Sequence, residues 1–161
     1  MIKYCKLENP ETIKREAQRF ESLITEMASK RQQQGLSGMV VLPGVKNLID
    51  QFNVTPSRWS IVTSATKIYA ASALEVSGIN QIQNKICADN VVRGKPNPDP
   101  FLEGAKLINV KANECLVLED APSGIKAGKA AGAVVIATLT SHDFESIKNA
   151  NPDFIVRDLS S

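Results

Sequence analysis

Several polar groups in this sequence could do chemistry together: the hydroxyls of Thr63 and Ser64, the ammonium of Lys95, and the adjacent carboxylates of Glu119 and Asp120. Side-by-side acids repel unless a cation or proton lies between them. Carboxylates are also the hard oxygen ligands that magnesium takes, one or two at a time, with waters and phosphate oxygens completing the shell. In "VTSAT" a small hydroxyl, followed by Ala65 and a helix start, offers O–H and backbone N–H donors suited to phosphate oxygens. In "RGKPNPDPF" Gly94 allows close approach to a ligand, and the prolines restrict the chain that carries Lys95. An ammonium about 4 Å from a phosphate contributes several kcal/mol at the dielectric of a protein edge. Together these groups would make a magnesium and phosphate site. Taken singly, each has a plainer reading: Ser64 or Thr66 as a helix cap, Lys95 as a solvated loop residue, Asp120 as a cap with Glu119 in solvent.

For these groups to meet, the fold must bring distant loops to one edge. From residue 59 onward, apolar runs alternate with amphipathic stretches. "WSIVTS", "KICAD", "CLVLE", "AVVIAT" and "DFIV" read as strands. "KIYAASALEVSG", a segment capped by Asp99 and begun by Pro100, "SGIKAGKAAG" and "HDFESIKNA" read as helices. Unalternating apolar strands separated by helices predict an α/β fold with a parallel sheet covered on both faces. Ligands of such sheets bind beyond the carboxyl ends of the strands, where all the polar clusters fall.

Upstream, Asn9 and Pro10 predict the start of a long helix with an apolar stripe of Ile13, Ala17, Phe20, Ile24 and Met27, ended by "QQQGLSG". A second helix after Pro43-Gly44 presents Val45, Leu48, Ile49 and Phe52. Gly124, Gly128 and Gly132 recur every fourth residue, predicting one helix face packed closely on the sheet; Lys126 and Lys129 argue against a membrane helix. His142, the one histidine, reads as a surface or helix-start residue.

The 161 residues suffice for one domain with a substantial core. A net charge of +2 without a basic block gives no reason to expect nucleic acid as a partner. No apolar run approaches the roughly 20 residues of a membrane span. Cys5, Cys87 and Cys115 are an odd, widely spaced set; disulfides and zinc are poorly supported, Cys87 and Cys115 read as buried strand residues, and a cytoplasmic setting is expected. No strand is followed by the G-x-G-x-x-G of a dinucleotide site.

In order, "IVTSAT", "RGKPNPDPF" and "LVLEDAPSGIKAGKAAG" resemble the haloacid dehalogenase superfamily of phosphohydrolases, most closely its sugar-phosphate and polyol-phosphate phosphatases. The resemblance extends to "LPGV" and to the tail "DFIVRDL". It implies a HAD-like, Rossmann-like three-layer fold, a magnesium cofactor and a small phosphorylated metabolite as partner. It further implies that Ser64, with Ala65, binds phosphate, Thr63 being the alternative if the register slips by one. Lys95 would neutralise phosphate and nucleophile, and Asp120 and Glu119 would hold the metal, Asp120 as the more secure direct ligand.

One departure is specific. The family begins with a strand ending in D-x-D-G-T, whose first aspartate attacks phosphorus. Here the aspartates stand at 50, 89, 99, 120, 143, 153 and 158, and none are spaced D-x-D. The sequence is therefore expected to start partway through the family's chain: residues 1–40 as a partial helical cap, and residues 41–161 as a core lacking its central first strand. The strands ending in Ser64 and Glu119 would then close up, be bridged by a segment such as "IKYCKL", or leave the chain marginally stable. Without a covalent aspartyl-phosphate there is no first half-reaction, so the chain is expected to be catalytically impaired. The alternative is a non-catalytic phosphate-binding or regulatory module.

Overall fold

A computed structural model describes residues 9–36, 38–79 and 82–160 of the chain. In chain order the elements are α1 (Pro10–Gln33), α2 (Val45–Val54), β1 (Ile61–Val62), α3 (Lys67–Val76), β2 (Lys85–Ile86) and α4 (Asp99–Leu107). There follow β3 (Leu116–Glu119), α5 (Pro122–Ala130), β4 (Val134–Thr138), α6 (Phe144–Lys148) and β5 (Phe154–Val156). They form two compact units, Met1–Val40 with Thr66–Asn80, and Val41–Ala65 with Gln81–Ser161.

The first unit is built on α1 and α3. Asn9 caps α1 as expected, its side chain accepting from the amides of Glu11 and Thr12 at 2.9 and 3.2 Å. The apolar stripe differs from the sequence pattern. Ile13, Ala17 and Ile24 are partly covered and Ala28 is buried, whereas Phe20 and Met27 are 49% and 64% exposed. A carboxylate takes the half-buried position between them. Glu21 accepts from the Thr66 amide at 3.2 Å and the Thr66 hydroxyl at 2.5 Å. That hydroxyl in turn accepts from the Tyr69 amide at 3.3 Å, making Thr66 the cap of α3.

In the second unit every ladder is parallel. β1 pairs with β2, Ile61 opposite Lys85 and Val62 opposite Ile86. β3, β4 and β5 form a separate sheet in that order, with Leu116 opposite Val134 and Ile136 opposite Phe154. The strands leading to Ser64 and to Glu119 thus lie in different sheets, with no ladder between them among the described residues. "IKYCKL" and Cys5 lie outside those residues. Helix α4 packs on β1 and β2; it begins at Asp99 with Pro98 at the cap, one residue earlier than the sequence suggested.

The core sits on one face of the β3–β4–β5 sheet. Val117, Val135 and Ala137 point there, beneath Ile125 and Ala127 of α5 and Ile147 of α6, all of them buried. Because side chains alternate along a strand, Leu116, Leu118, Val134 and Phe154 point the other way and are exposed. Cys87 is buried and Cys115 only partly so; neither is in a disulfide. The glycine repeat splits between two uses. A Cβ on Gly128 would stand 2.9 Å from Val135 Cγ2 and 3.3 Å from Val117 Cγ1, so its bareness permits the packing of α5 on the sheet. Gly132 lies past the helix end with φ of 85°, the left-handed conformation that terminates helices.

Asp153 fastens this layer together. One oxygen accepts from Lys129 of α5 at 2.5 Å and the other from the Val135 amide at 2.7 Å. The Lys129 hydrogen bond, helped by that amide, holds its carboxyl below the usual carboxylate range. A depressed folded pKa stabilises the fold fully above the unfolded value and loses that contribution as pH falls through the folded value. Asp153→Asn is therefore expected to flatten the acid limb of a stability–pH curve below about pH 4, measured by urea midpoints. Asp143 and Asp158, similarly lowered by Ser146 and Ser160, would retain their share. Among the described residues no helix is long and apolar enough to cross a membrane.

Candidate functional site

Lys95 joins the ends of the two sheets. Its Nζ donates to the Val62 carbonyl at the end of β1, at 3.1 Å, and to Glu119 Oε1 at the end of β3. The ammonium also lies 4.8 Å from the centroid of the Phe101 ring on α4, a cation–π distance. The two charged side chains are 9% and 8% exposed. The loop that aims Lys95 is closed by Asn97, whose backbone and side-chain amides both donate to the Gly94 carbonyl, at 3.1 and 3.0 Å. Thus the β1 end, the "GKPN" turn and the acid pair, all remote in sequence, meet at one rim of the second unit.

The two acids have different surroundings. Both oxygens of Glu119 are engaged, Oε1 by Lys95 and Oε2 by the amides of Asp120 and Ala121 at 3.2 and 3.4 Å. Gly124 of α5 lies directly against this carboxylate, and a Cβ there would overlap it. Asp120 is partly buried, and its carboxylate makes no hydrogen bond or ion pair among the described residues. Its carbonyl is held by the turn after β4: Ser141 Oγ donates to it at 2.8 Å, and His142 Nδ1 lies 3.2 Å away. His142 therefore stands next to the acid pair, a contact between residues 22 positions apart that sequence neighbours could not signal.

The hydroxyls at the β1 end also divide. Thr63 Oγ1 accepts from the Ala65 amide at 3.1 Å, so its oxygen is used locally. Ser64 is exposed, with no hydrogen-bond partner among the described residues. The Ala65 carbonyl accepts from the Ala88 amide at 2.9 Å, tying this turn to the one after β2. Capping of α3 falls to Thr66, one of the two residues sequence reasoning had offered for that role.

Magnesium is content with one or two carboxylates plus phosphate oxygens and water. The unengaged Asp120 carboxylate fits that requirement, while Glu119 is committed to Lys95 and two amides. No cluster of three or more acidic, histidine or cysteine ligands occurs among the described residues.

Parallel strands joined by helices, with a lysine, a free acid and a free hydroxyl where β1 and β3 end, define an α/β domain whose polar cluster lies beyond the carboxyl ends of its strands. The chain belongs to the haloacid dehalogenase-like hydrolase family, whose profile matches residues 2–138. It is similar to hexitol phosphatase A of Escherichia coli, 35% identical over 136 residues, covering 74% of this chain and 63% of that protein. It is likewise similar to glycerol-1-phosphate phosphohydrolase 2 of Saccharomyces cerevisiae, 35% identical over 130 residues, covering 76% and 52%. Among solved structures, a hydrolase from Pseudomonas syringae superimposes with a TM-score of 0.80 at 27% identity, covering 96% of this chain and 70% of that one. The matched regions span 63% and 52% of the two curated relatives.

Proposed function

We propose that this chain carries the phosphate-anchoring and magnesium-holding residues of a phosphatase acting on small sugar or polyol phosphates, and that these 161 residues alone bind without hydrolysing. The observation that supports this most is the position of the Lys95 ammonium between the ends of β1 and β3, beside an acid with a free carboxylate. In this reading Ser64 and the Ala65 amide donate to phosphate oxygens, and Lys95 supplies fixed positive charge in a partly dry rim. Asp120 holds magnesium, whose charge offsets that on the phosphate oxygens. Glu119 serves as the buried counter-charge that aims Lys95 rather than as a metal ligand. Polyols are named in the two relatives above and 2-deoxyglucose-6-phosphate in a further one from Saccharomyces cerevisiae, and their phosphates share the monoester these groups would grip.

The second reading, a phosphate-binding or regulatory module without chemistry, is favoured by the spacing of the aspartates, none of which form D-x-D. Both readings expect binding and differ in ancestry, not in what this chain does in a tube. Calorimetry with magnesium and inorganic phosphate should give saturable heat, with Asp120→Asn weakening magnesium more than about tenfold, as loss of a charged ligand should. No heat at millimolar ligand would overturn the site. Hydrolysis of p-nitrophenyl phosphate above background that vanishes in Asp120→Ala would overturn the claim that the chain is inactive.

A further inference from the structure

We propose that Ser141 and His142, in the turn between β4 and α6, are positioning residues for the metal ligand Asp120; this rests on the role of Asp120 argued above. Asp120 lies between β3 and α5, where neither a ladder nor a helix holds its carbonyl. Its backbone is nonetheless pinned at both groups. The N–H donates to Glu119 Oε2 at 3.2 Å, and the carbonyl accepts from Ser141 Oγ at 2.8 Å with His142 Nδ1 at 3.2 Å. Only the side-chain torsions of Asp120 are left to choose, and its carboxylate makes no hydrogen bond or ion pair among the described residues.

The hydrogen-bond arithmetic suits one histidine tautomer. A serine hydroxyl has one proton, and that of Ser141 goes to the Asp120 carbonyl. His142 Nδ1, 2.8 Å from Ser141 Oγ and 3.2 Å from the same carbonyl, completes this arrangement when it carries the ring proton. The turn bearing both residues is anchored on each side. Thr138 and Thr140 hydroxyls are 3.0 Å apart before it, and after it Asp143 accepts from the Ser146 amide at 2.9 Å to cap α6. A hydroxyl and an imidazole nitrogen on an anchored turn, both within hydrogen-bond distance of one carbonyl of the residue with the free acid, are what preorganisation of a ligand requires. Magnesium demands near-ideal octahedral geometry, so a ligand whose backbone drifts binds it less well.

The test is calorimetric titration of the 161-residue chain with magnesium in the presence of inorganic phosphate, paired with thermal unfolding of the metal-free proteins. Ser141→Ala combined with His142→Ala is expected to weaken magnesium about tenfold, the low end for outer-shell partners. The metal-free midpoint should stay within about 2 °C, because both side chains are at the surface. His142→Asn, whose amide N–H can reach the Nδ1 position, should bind within about threefold of the parent, and Ser141→Ala alone should lie between. Parental affinity in the double variant overturns the proposal, as does a loss of affinity matched by a loss of metal-free stability. Asp120→Asn separates the two claims. If it weakens binding and the double variant does not, only the positioning role fails; if it leaves binding intact, or the parent shows no saturable binding, the ligand assignment fails and takes the positioning role with it.

Discussion

Lys95→Met is expected to lower the stability of this chain by about 3–5 kcal/mol in urea unfolding, the cost of removing one partner of a buried ion pair. Lys95 and Glu119 are 9% and 8% exposed, so the remaining carboxylate would keep two backbone amides and lose the one cation it pairs with among the described residues. The Val62 carbonyl would also lose a donor at the end of β1. Desolvation, not attraction, decides the magnitude. The intact pair adds little net stability because both charges left water, whereas the broken pair strands one of them. It follows that Lys95→Met with Glu119→Leu should recover most of the loss, since a hydrophobic pair of similar volume avoids desolvation altogether. A Lys95→Met midpoint corresponding to less than about 1 kcal/mol, the worth of an exposed pair, would show that the two side chains are solvated.

This pair also shows where sequence reasoning stops. The strands, the helices and the meeting of "TSAT", "GKP" and "ED" at strand ends were legible because they follow from apolar periodicity and from where parallel sheets carry their loops. The division of labour between Glu119 and Asp120 was not. As neighbours in a line of letters both read as metal ligands, Asp120 the more secure of the two, and nothing there sets Glu119 to another task. In the fold the first turns toward Lys95 and the next two amides, and the second is left free. Alternation along an extended chain sends adjacent side chains to opposite sides, but the sequence does not say which side holds the lysine. His142 was unreadable for a related reason, since its partner is a carbonyl, which has no letter of its own. On α1 the apolar stripe lost Phe20 and Met27, while Glu21 takes a half-buried position and holds Thr66; a cap partner 45 residues away leaves no trace in periodicity.

Gly124→Ala is expected to destabilise the chain by about 1–3 kcal/mol, the usual cost of overpacking a tight contact. Helix propensity alone gives the opposite sign. Alanine in place of glycine inside a helix should gain up to about 1 kcal/mol, and Gly124 lies in the first turn of α5. The new Cβ, however, would overlap the Glu119 carboxylate. A side-chain end can usually swing aside cheaply, but this one is fixed by Lys95 and by the amides of Asp120 and Ala121. Moving it breaks all three interactions inside a nearly closed space. The two predictions are therefore coupled. In a Lys95→Met background the carboxylate is already free to leave, so adding Gly124→Ala should cost less than it does in the parent, with a coupling of about 1 kcal/mol or more in a double-mutant cycle. Additive effects, or a stabilised Gly124→Ala variant, would mean that Glu119 is not held where the first turn of α5 meets the end of β3. The role of Glu119 as the buried anchor of Lys95 would then have to be abandoned.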